Sequence, residues 1–420
     1  MASEYKGAGT GQKILCELYS GVRAKNEREL ETYLTVFPIW DIILITAHRE
    51  KGGAVMKTLV LDRQSLKNNI SVIREKAGPA AIYAVLTGDG FGTGAVELAR
   101  ILREEGIGRF AVSEVSEAAA LRKAGFTDEE ILMLRSTTDR EELEKLIDLN
   151  VVCTVGSAET GMALNGVAEA RSTVAEAHIQ VDTGMGFGGF LTGEPDKILS
   201  VYRNLPNVAI SGIYTQIHSS RADGRDAQVQ MEQFHQVVEA VRAAGFETGT
   251  VHAAGSYALM HYEFARLDAV RAGSALLGRC RRTRNDGLQK VGYGEAGIEE
   301  IRWLPKDHTV GNEVLVTLKK PTRIAVLPVG YQNGFGVSRS REAGLWALIR
   351  RWWRGKRLYV RIGGQKARIV GRIGAIETLV DVTDLKCTAG DTAVFDLDPL
   401  YARGFVRAYR DRPASEEEYL

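Results

Sequence analysis

The chain has 420 residues, 45% of them hydrophobic and 25% charged, with a formal net charge of +1. That length allows two domains with full cores, and the near-zero charge gives no overall field favouring nucleic acid or an anionic membrane. The four cysteines, Cys16, Cys153, Cys280 and Cys387, are far apart and form no CxxC pair. They read as reduced thiols of a cytoplasmic protein, and no metal site is expected.

Residues 1–55 read as an N-terminal extension. Met1 to Gln12 is rich in glycine and small polar residues, and Ile14 to Leu34 has helical spacing with many charges. The apolar run from Leu34 to Ala47 contains Pro38 and Asp41 and is too short to span a bilayer. No membrane span and no signal peptide are expected. From residue 56 to about 298, apolar strands alternate with amphipathic helices. Thr58 to Leu61 is a predicted strand, and Asp62 is placed to cap a helix from Arg63 to Ala77. Ile82 to Leu86 is a continuous apolar run, as a buried parallel strand requires. A glycine-rich turn and a helix, Val96 to Glu105, follow it. Further strands are predicted at Phe110–Val112, Ile131–Leu134, Val151–Thr154, Ala177–Val181 and Ile210–Tyr214, with a helix at Glu114–Ala124. Repetition of this kind predicts an α/β fold, a (β/α)8 TIM-type barrel. From 299 to 420 the pattern becomes short β segments between turns: Val314–Leu318, Thr322–Pro328, Leu358–Ile362, Lys366–Ile373, Leu379–Val382 and Thr392–Phe395. They predict a C-terminal, mostly-β domain.

Two motifs carry most of the information: Ala84-Val85-Leu86-Thr87-Gly88-Asp89-Gly90-Phe91-Gly92-Thr93-Gly94 and Val181-Asp182-Thr183-Gly184-Met185-Gly186. With Gly212-Ile213-Tyr214-Thr215, Leu267 to Gly273, Pro328 to Tyr331 and Val380 to Asp384, they resemble the alanine racemases. These are fold-type III enzymes dependent on pyridoxal phosphate (PLP). The resemblance runs from about Met56 to Arg410 and implies a barrel followed by a β domain. It also implies a homodimer in which the partner's β domain covers the barrel mouth.

The resemblance implies a lysine holding PLP as a Schiff base where this chain has Thr87, and a hydroxyl forms no imine. It implies a catalytic tyrosine where Val310-Gly311-Asn312-Glu313 places Asn312, an amide with no usable pKa for proton transfer. Gln180, Phe187, Gln216, Gly255, Ala375 and Phe91 stand at other positions where the family has different side chains. A relic cofactor cradle is implied by matching residues: Arg271 for the pyridine nitrogen, His252 behind it, and Ser256, Gly273, Ser274 and Tyr409 for the phosphate. His218, at a predicted strand end, and His252 are candidates for catalysis; Asp89 and Glu313 are further groups in range. His178, on a strand, reads as a satisfied core histidine.

These substitutions lead to an expectation of no cofactor, with noncovalent PLP left open. The expected function is that of a divergent homologue without covalent PLP chemistry, binding an amino acid, a peptide or a small anion. Two alternatives stand beside it. One is a repurposed PLP-independent enzyme of specialised-metabolite or modified-peptide biosynthesis. The other is a PLP-dependent amino-acid racemase. Separately, eleven Lys or Arg and a single acid, Glu342, lie between Arg339 and Arg372, interleaved with Trp346, Trp352 and Trp353. Such a stretch suits an acidic peptide or protein partner, or it is a solvated rim.

Overall fold

The computed structural model describes residues 57–218, 224–280, 286–311, 316–337 and 358–411. The N-terminal extension, Asn312, Glu313 and most of the basic tryptophan-rich stretch lie outside the described residues.

The barrel has eight parallel strands: β2 (Ala81–Val85), β3 (Arg109–Val112), β4 (Glu130–Met133), β5 (Cys153–Val155), β6 (Ala175–Asp182), β8 (Val208–Tyr214), β9 (Thr250–His252) and β10 (Ala269–Ala272). A two-residue strand, β7 (Phe190–Leu191), pairs only with β6. The register runs continuously from β4 through β3, β2, β10, β9, β8 and β6 to β5, and a parallel bridge between Leu132 and Val152 closes the ring. Helices α1 (Arg63–Ala77), α2 (Ala95–Glu104), α3 (Val115–Lys123), α4 (Arg140–Asp148), α5 (Ala158–Ala170), α6 (Pro195–Asn204), α7 (Arg225–Ala243) and α8 (Ser256–His261) fill the connections.

Alternation along the strands sorts the side chains. Tyr83, Ala111, Leu132, Val152 and Ala269 point inward and form a small cluster inside the ring. Ala84, Phe110, Val112, Ile131 and Met133 point outward into the main core beneath the helices. Asp62 does cap α1: its Oδ1 accepts from the Gln64 amide at 3.2 Å, and its other oxygen accepts from the Ser65 hydroxyl.

The β domain is a nine-stranded sheet. Its strands are β1 (Lys57–Asp62), β11 (Gly292–Gly297), β12 (Glu300–Leu304), β15 (Thr322–Leu327), β16 (Tyr359–Ile362), β17 (Gln365–Ile369), β18 (Thr378–Asp381), β19 (Thr392–Asp396) and β20 (Val406–Arg410). A separate hairpin joins β13 (Thr309–Val310) to β14 (Val316–Thr317).

Two segments placed with the barrel by the boundary at residue 298 belong to this sheet. β1 pairs antiparallel with β11 and parallel with β20. The apolar run of β1 followed by a helix looks like any other barrel unit, and only long-range pairing distinguishes it. Because β20 lies against β1, Arg407 and Tyr409 are carried back to the glycine-rich turn after β2. Among the described residues, no helix is long and apolar enough to cross a membrane, and no cluster of His, Cys, Asp and Glu could hold a metal ion.

Candidate active site at the barrel mouth

A cavity of about 560 Å³ opens at the C-terminal ends of the barrel strands, the end where barrel enzymes place their chemistry. Its walls include Val85 from β2, His218 from the segment after β8, Ser256 from α8, and Arg271, Gly273 and Ser274 from β10 and its continuation.

Arg271 is the one cationic side chain among the described wall residues, and it is only 4% exposed. Its Nη1 donates to His252 Nδ1 at 2.6 Å. Its Nη2 donates to the Thr215 carbonyl at 2.5 Å, to Gln216 Oε1 at 2.7 Å and to the Ala253 carbonyl at 3.2 Å. All these acceptors are neutral. Burial lowers its pKa to about 10, opposed weakly by Tyr214 and Tyr83, so it remains charged at neutral pH. A buried cation among neutral acceptors is costly unless something in the cavity complements it.

Behind Arg271 a chain of rings fills the barrel. Arginine can only donate, so His252 Nδ1 accepts and its proton sits on Nε2. His252 Nε2 then donates to His178 Nδ1, 3.0 Å away. The His252 ring is sandwiched between Tyr83 and Tyr214, with centroids 5.4 and 4.9 Å away and planes inclined by only 22° and 23°. Burial, with Arg271 adding to it, lowers His178 to about 3 and drives His252 well below 6.5. Both rings are therefore neutral. His252 is fully buried and fixes the orientation of Arg271. This corrects its candidacy as a catalytic group in contact with substrate. His178 is the satisfied interior histidine expected of a strand position. Gly212 provides its room, because a Cβ there would lie 2.5 Å from His178 Nε2. That glycine was not picked out in the sequence, although an isolated glycine inside a strand signals such a close approach.

His218 reaches the cavity wall, and its backbone amide donates to Gln230 Oε1 at 3.1 Å. Ser256 Oγ accepts from the Gly273 amide at 2.9 Å and the Ala275 amide at 3.2 Å, tying the loop after β10 to α8. Gly273 packs closely on Phe91: a Cβ there would come within 2.8 Å of the Phe91 ring, which would have to shift. Ser274 stands beside it on the wall.

Tyr409 is not brought to this wall. On β20, its hydroxyl donates to the Thr93 carbonyl at 3.2 Å and so braces the turn from outside. Asp89 is also elsewhere, paired with Arg407 at 2.7 Å and accepting from the Ala95 amide at 2.9 Å.

Thr87 begins that turn. Gly88, Asp89, Gly90 and Phe91 all adopt left-handed backbone, with φ of 64°, 54°, 66° and 56°. Successive left-handed residues are unfavourable by about 1–2 kcal/mol each outside glycine, so the turn needs external support. Arg407, Tyr409 and the Pro399 carbonyl against Gly92 provide it.

The chain matches the alanine racemase N-terminal domain over residues 61–280 and the alanine racemase C-terminal domain over residues 293–398. This chain belongs to the alanine racemase family. An alanine racemase of Carboxydothermus hydrogenoformans is 32% identical over 341 residues, covering 79% of this chain and 87% of the relative. One from Methanococcus maripaludis is 29% identical over 335 residues, covering 78% and 84%. In fold, the chain is similar to the alanine racemase of Clostridium difficile 630, with TM-score 0.74 at 23% identity over 86% of this chain and 97% of that one. It is also similar to that of Bartonella henselae, with TM-score 0.70 at 20% identity over 85% and 100%.

The Bartonella structure carries covalently bound pyridoxal phosphate. With the family membership, this overturns the expectation of no cofactor. That expectation rests on Thr87, whose hydroxyl forms no imine, and on Asn312, which lies outside the described residues; neither bears on Arg271, Ser256, Gly273 and Ser274, which line the cavity.

Proposed function

We propose that this alanine racemase family member binds pyridoxal phosphate at the barrel mouth and exchanges the α-proton of a small amino-acid-like amine. The observation that carries this reading is Arg271: a buried cation with neutral acceptors only, hydrogen-bonded to His252 and lining a cavity whose walls also include Ser256, Gly273 and Ser274. The cavity volume is within the usual range for cofactor sites.

The residues present fit the ring and phosphate of the cofactor. Arg271 would meet the ring nitrogen, with its charge kept in place by the neutral His252–His178 chain. Ser256, Ser274 and the loop of Gly273 would hold the phosphate, and hydroxyls with loop amides suit an anion. When bound, the cofactor supplies an electron sink that acidifies the Cα–H of an amine. His218, on the wall, is the group in range to accept or return that proton. Thr87 offers no amine, and no lysine lines the cavity among the described residues. In this reading the cofactor is held by contacts alone.

Equilibrium dialysis with PLP, followed by incubation with alanine or alaninamide in D2O and mass spectrometry, tests both halves. Stoichiometric PLP binding with deuterium at Cα is expected. Absence of PLP binding would overturn the proposal.

A second reading, binding without turnover, is favoured by Thr87 and by Asn312 in place of two proton-transfer groups. It predicts PLP and amine binding with no deuterium incorporation.

A further inference from the structure

One buried side chain behind the cavity holds the segment that carries two of its wall residues. β8 runs out of register partners after Tyr214, which is paired with Gln180 on β6 and His252 on β9. Thr215 keeps one backbone bond, from its amide to the His252 carbonyl at 3.1 Å. Among the described residues, no strand continues beside Gln216, Ile217 and His218, which run on along the cavity wall. Their backbone groups need another partner. Gln230, on α7 and only 3% exposed, supplies it. Its Oε1 accepts from the His218 amide at 3.1 Å. Its Nε2 donates to the Gln216 carbonyl at 3.2 Å and to Thr183 Oγ1 at 3.1 Å. The backbone partners fix the orientation of the carboxamide, because an N–H only donates and a carbonyl only accepts. Both Nε2 protons are thereby used, and Thr183 Oγ1 is left to donate to Thr215 Oγ1, 2.8 Å away. A carboxamide that engages the carbonyl of one residue and the N–H two residues on does for this segment what a paired strand does.

From this arrangement we infer that Gln230 is a positioning residue for the site, setting where Gln216 and His218 stand at the barrel mouth. The inference rests on the reading of His218 as the group that accepts or returns the α-proton. On one side, Gln216 Oε1 accepts from Arg271 Nη2 at 2.7 Å, so the clamped segment reaches the buried cation. On the other, His218 meets the cavity from a backbone whose N–H is held by Gln230. A proton acceptor must stand within hydrogen-bond reach of its proton, and a misplacement of about 1 Å can cost about 10²-fold in rate. Arg271 keeps His252 and the carbonyls of Thr215 and Ala253 as acceptors without Gln216. Loss of the clamp therefore falls on proton transfer more than on the charge that Arg271 offers to the cavity.

The test compares two variants of the full chain. Gln230→Met keeps the length of the side chain and removes all three of its hydrogen bonds. Thr183→Val removes one bond of the same network and leaves Gln216 and His218 held. Without cofactor, hydrogen exchange of the His218 amide, followed by NMR, should accelerate at least about tenfold in Gln230→Met and less than about threefold in Thr183→Val. With saturating PLP and alanine in D2O, kcat for deuterium incorporation at Cα should fall about ten- to a hundredfold in Gln230→Met, with KM changed less than about threefold. Thr183→Val should stay within about threefold of the unsubstituted chain in both constants. Gln230→Glu, which sets an oxygen against the Gln216 carbonyl, should show the losses of the methionine variant. Unchanged amide protection in Gln230→Met, protection lost equally in Thr183→Val, or protection lost with kcat unchanged would overturn the inference. If the unsubstituted chain exchanges no α-proton, the proposed reaction fails, while amide exchange in the cofactor-free chain still decides whether Gln230 holds the mouth.

Discussion

The two neutral histidines inside the barrel should make the protein sensitive to mild acid. His178 and His252 are 1% and 0% exposed. Burial holds His178 at about 3 and His252 well below 6.5. Below about pH 6.5 the unfolded chain therefore binds more protons at these rings than the folded protein does. Their contribution is fully present above that pH and is lost as pH falls, continuing for His178 toward its folded value of about 3. Between about pH 7.5 and 5.5 each ring that stays neutral only in the fold costs on the order of 1 kcal/mol, roughly 2–3 kcal/mol for the pair. Glu142 and Asp396, whose carboxyls are held low in the fold, lose stability only at more acidic pH and leave this window clear. Urea unfolding followed by tryptophan fluorescence at the two pH values measures the difference. His178→Gln, which keeps a partner for His252, should lose only about half as much over the same interval. A wild-type loss below about 1 kcal/mol, or an identical loss in the variant, would refute the reasoning.

Gly212→Ala places a Cβ 2.5 Å from His178 Nε2. It should destabilise the fold by about 2–4 kcal/mol through overpacking and a strained His178–His252 bond; an unchanged urea midpoint would exclude this. Gly92 has φ of 86° and its Cβ would overlap the Pro399 carbonyl oxygen. Gly92→Ala should therefore cost at least about 3 kcal/mol, read as a lowered melting temperature. Thr87→Lys should allow PLP to be fixed by borohydride and seen by intact mass; no adduct at saturating PLP would mean that the turn does not present position 87 to the cavity. Light scattering should give twice the chain mass, since Phe187 at the mouth and Trp303 on the β12 edge are 80% and 60% exposed; a monomer at micromolar concentration would argue against a covered mouth.

Much of the barrel is legible in the chain because its signal is local. Each apolar run is short, each following helix is amphipathic, and Asp62 shows its cap in the sequence. What is not legible depends on partners distant in sequence. β1 has the composition of a barrel strand but pairs with β11 and β20, and nothing within Lys57–Asp62 records that choice. Tyr409 looks like a cradle residue by position, yet the β1–β20 pairing carries it to Thr93, outside the wall. His252 looks available at a strand end. Its inward register, opposite Tyr214, instead seals it between two tyrosine rings.

The same distinction explains why the substitutions suggested an empty site. Sequence comparison registers each replacement singly, whereas the geometry shows replacements that act together. Gln216 gives Arg271 a neutral acceptor, and its amide lies where a Cβ on Gly255 would be, 2.6 Å from Nε2. Gly255 is therefore the space that Gln216 needs, and one change accommodates the other. Phe91 and Gly273 are fitted in the same way, with the ring occupying the volume a side chain at 273 would take. Such fitted pairs keep the wall packed and leave the charge on Arg271 facing the cavity. A pocket kept only by inertia would have no reason to retain a buried guanidinium, whose desolvation is costly when unmatched. The proposed reading rests on this arrangement, in which Arg271, Ser256, Ser274 and His218 all line one cavity.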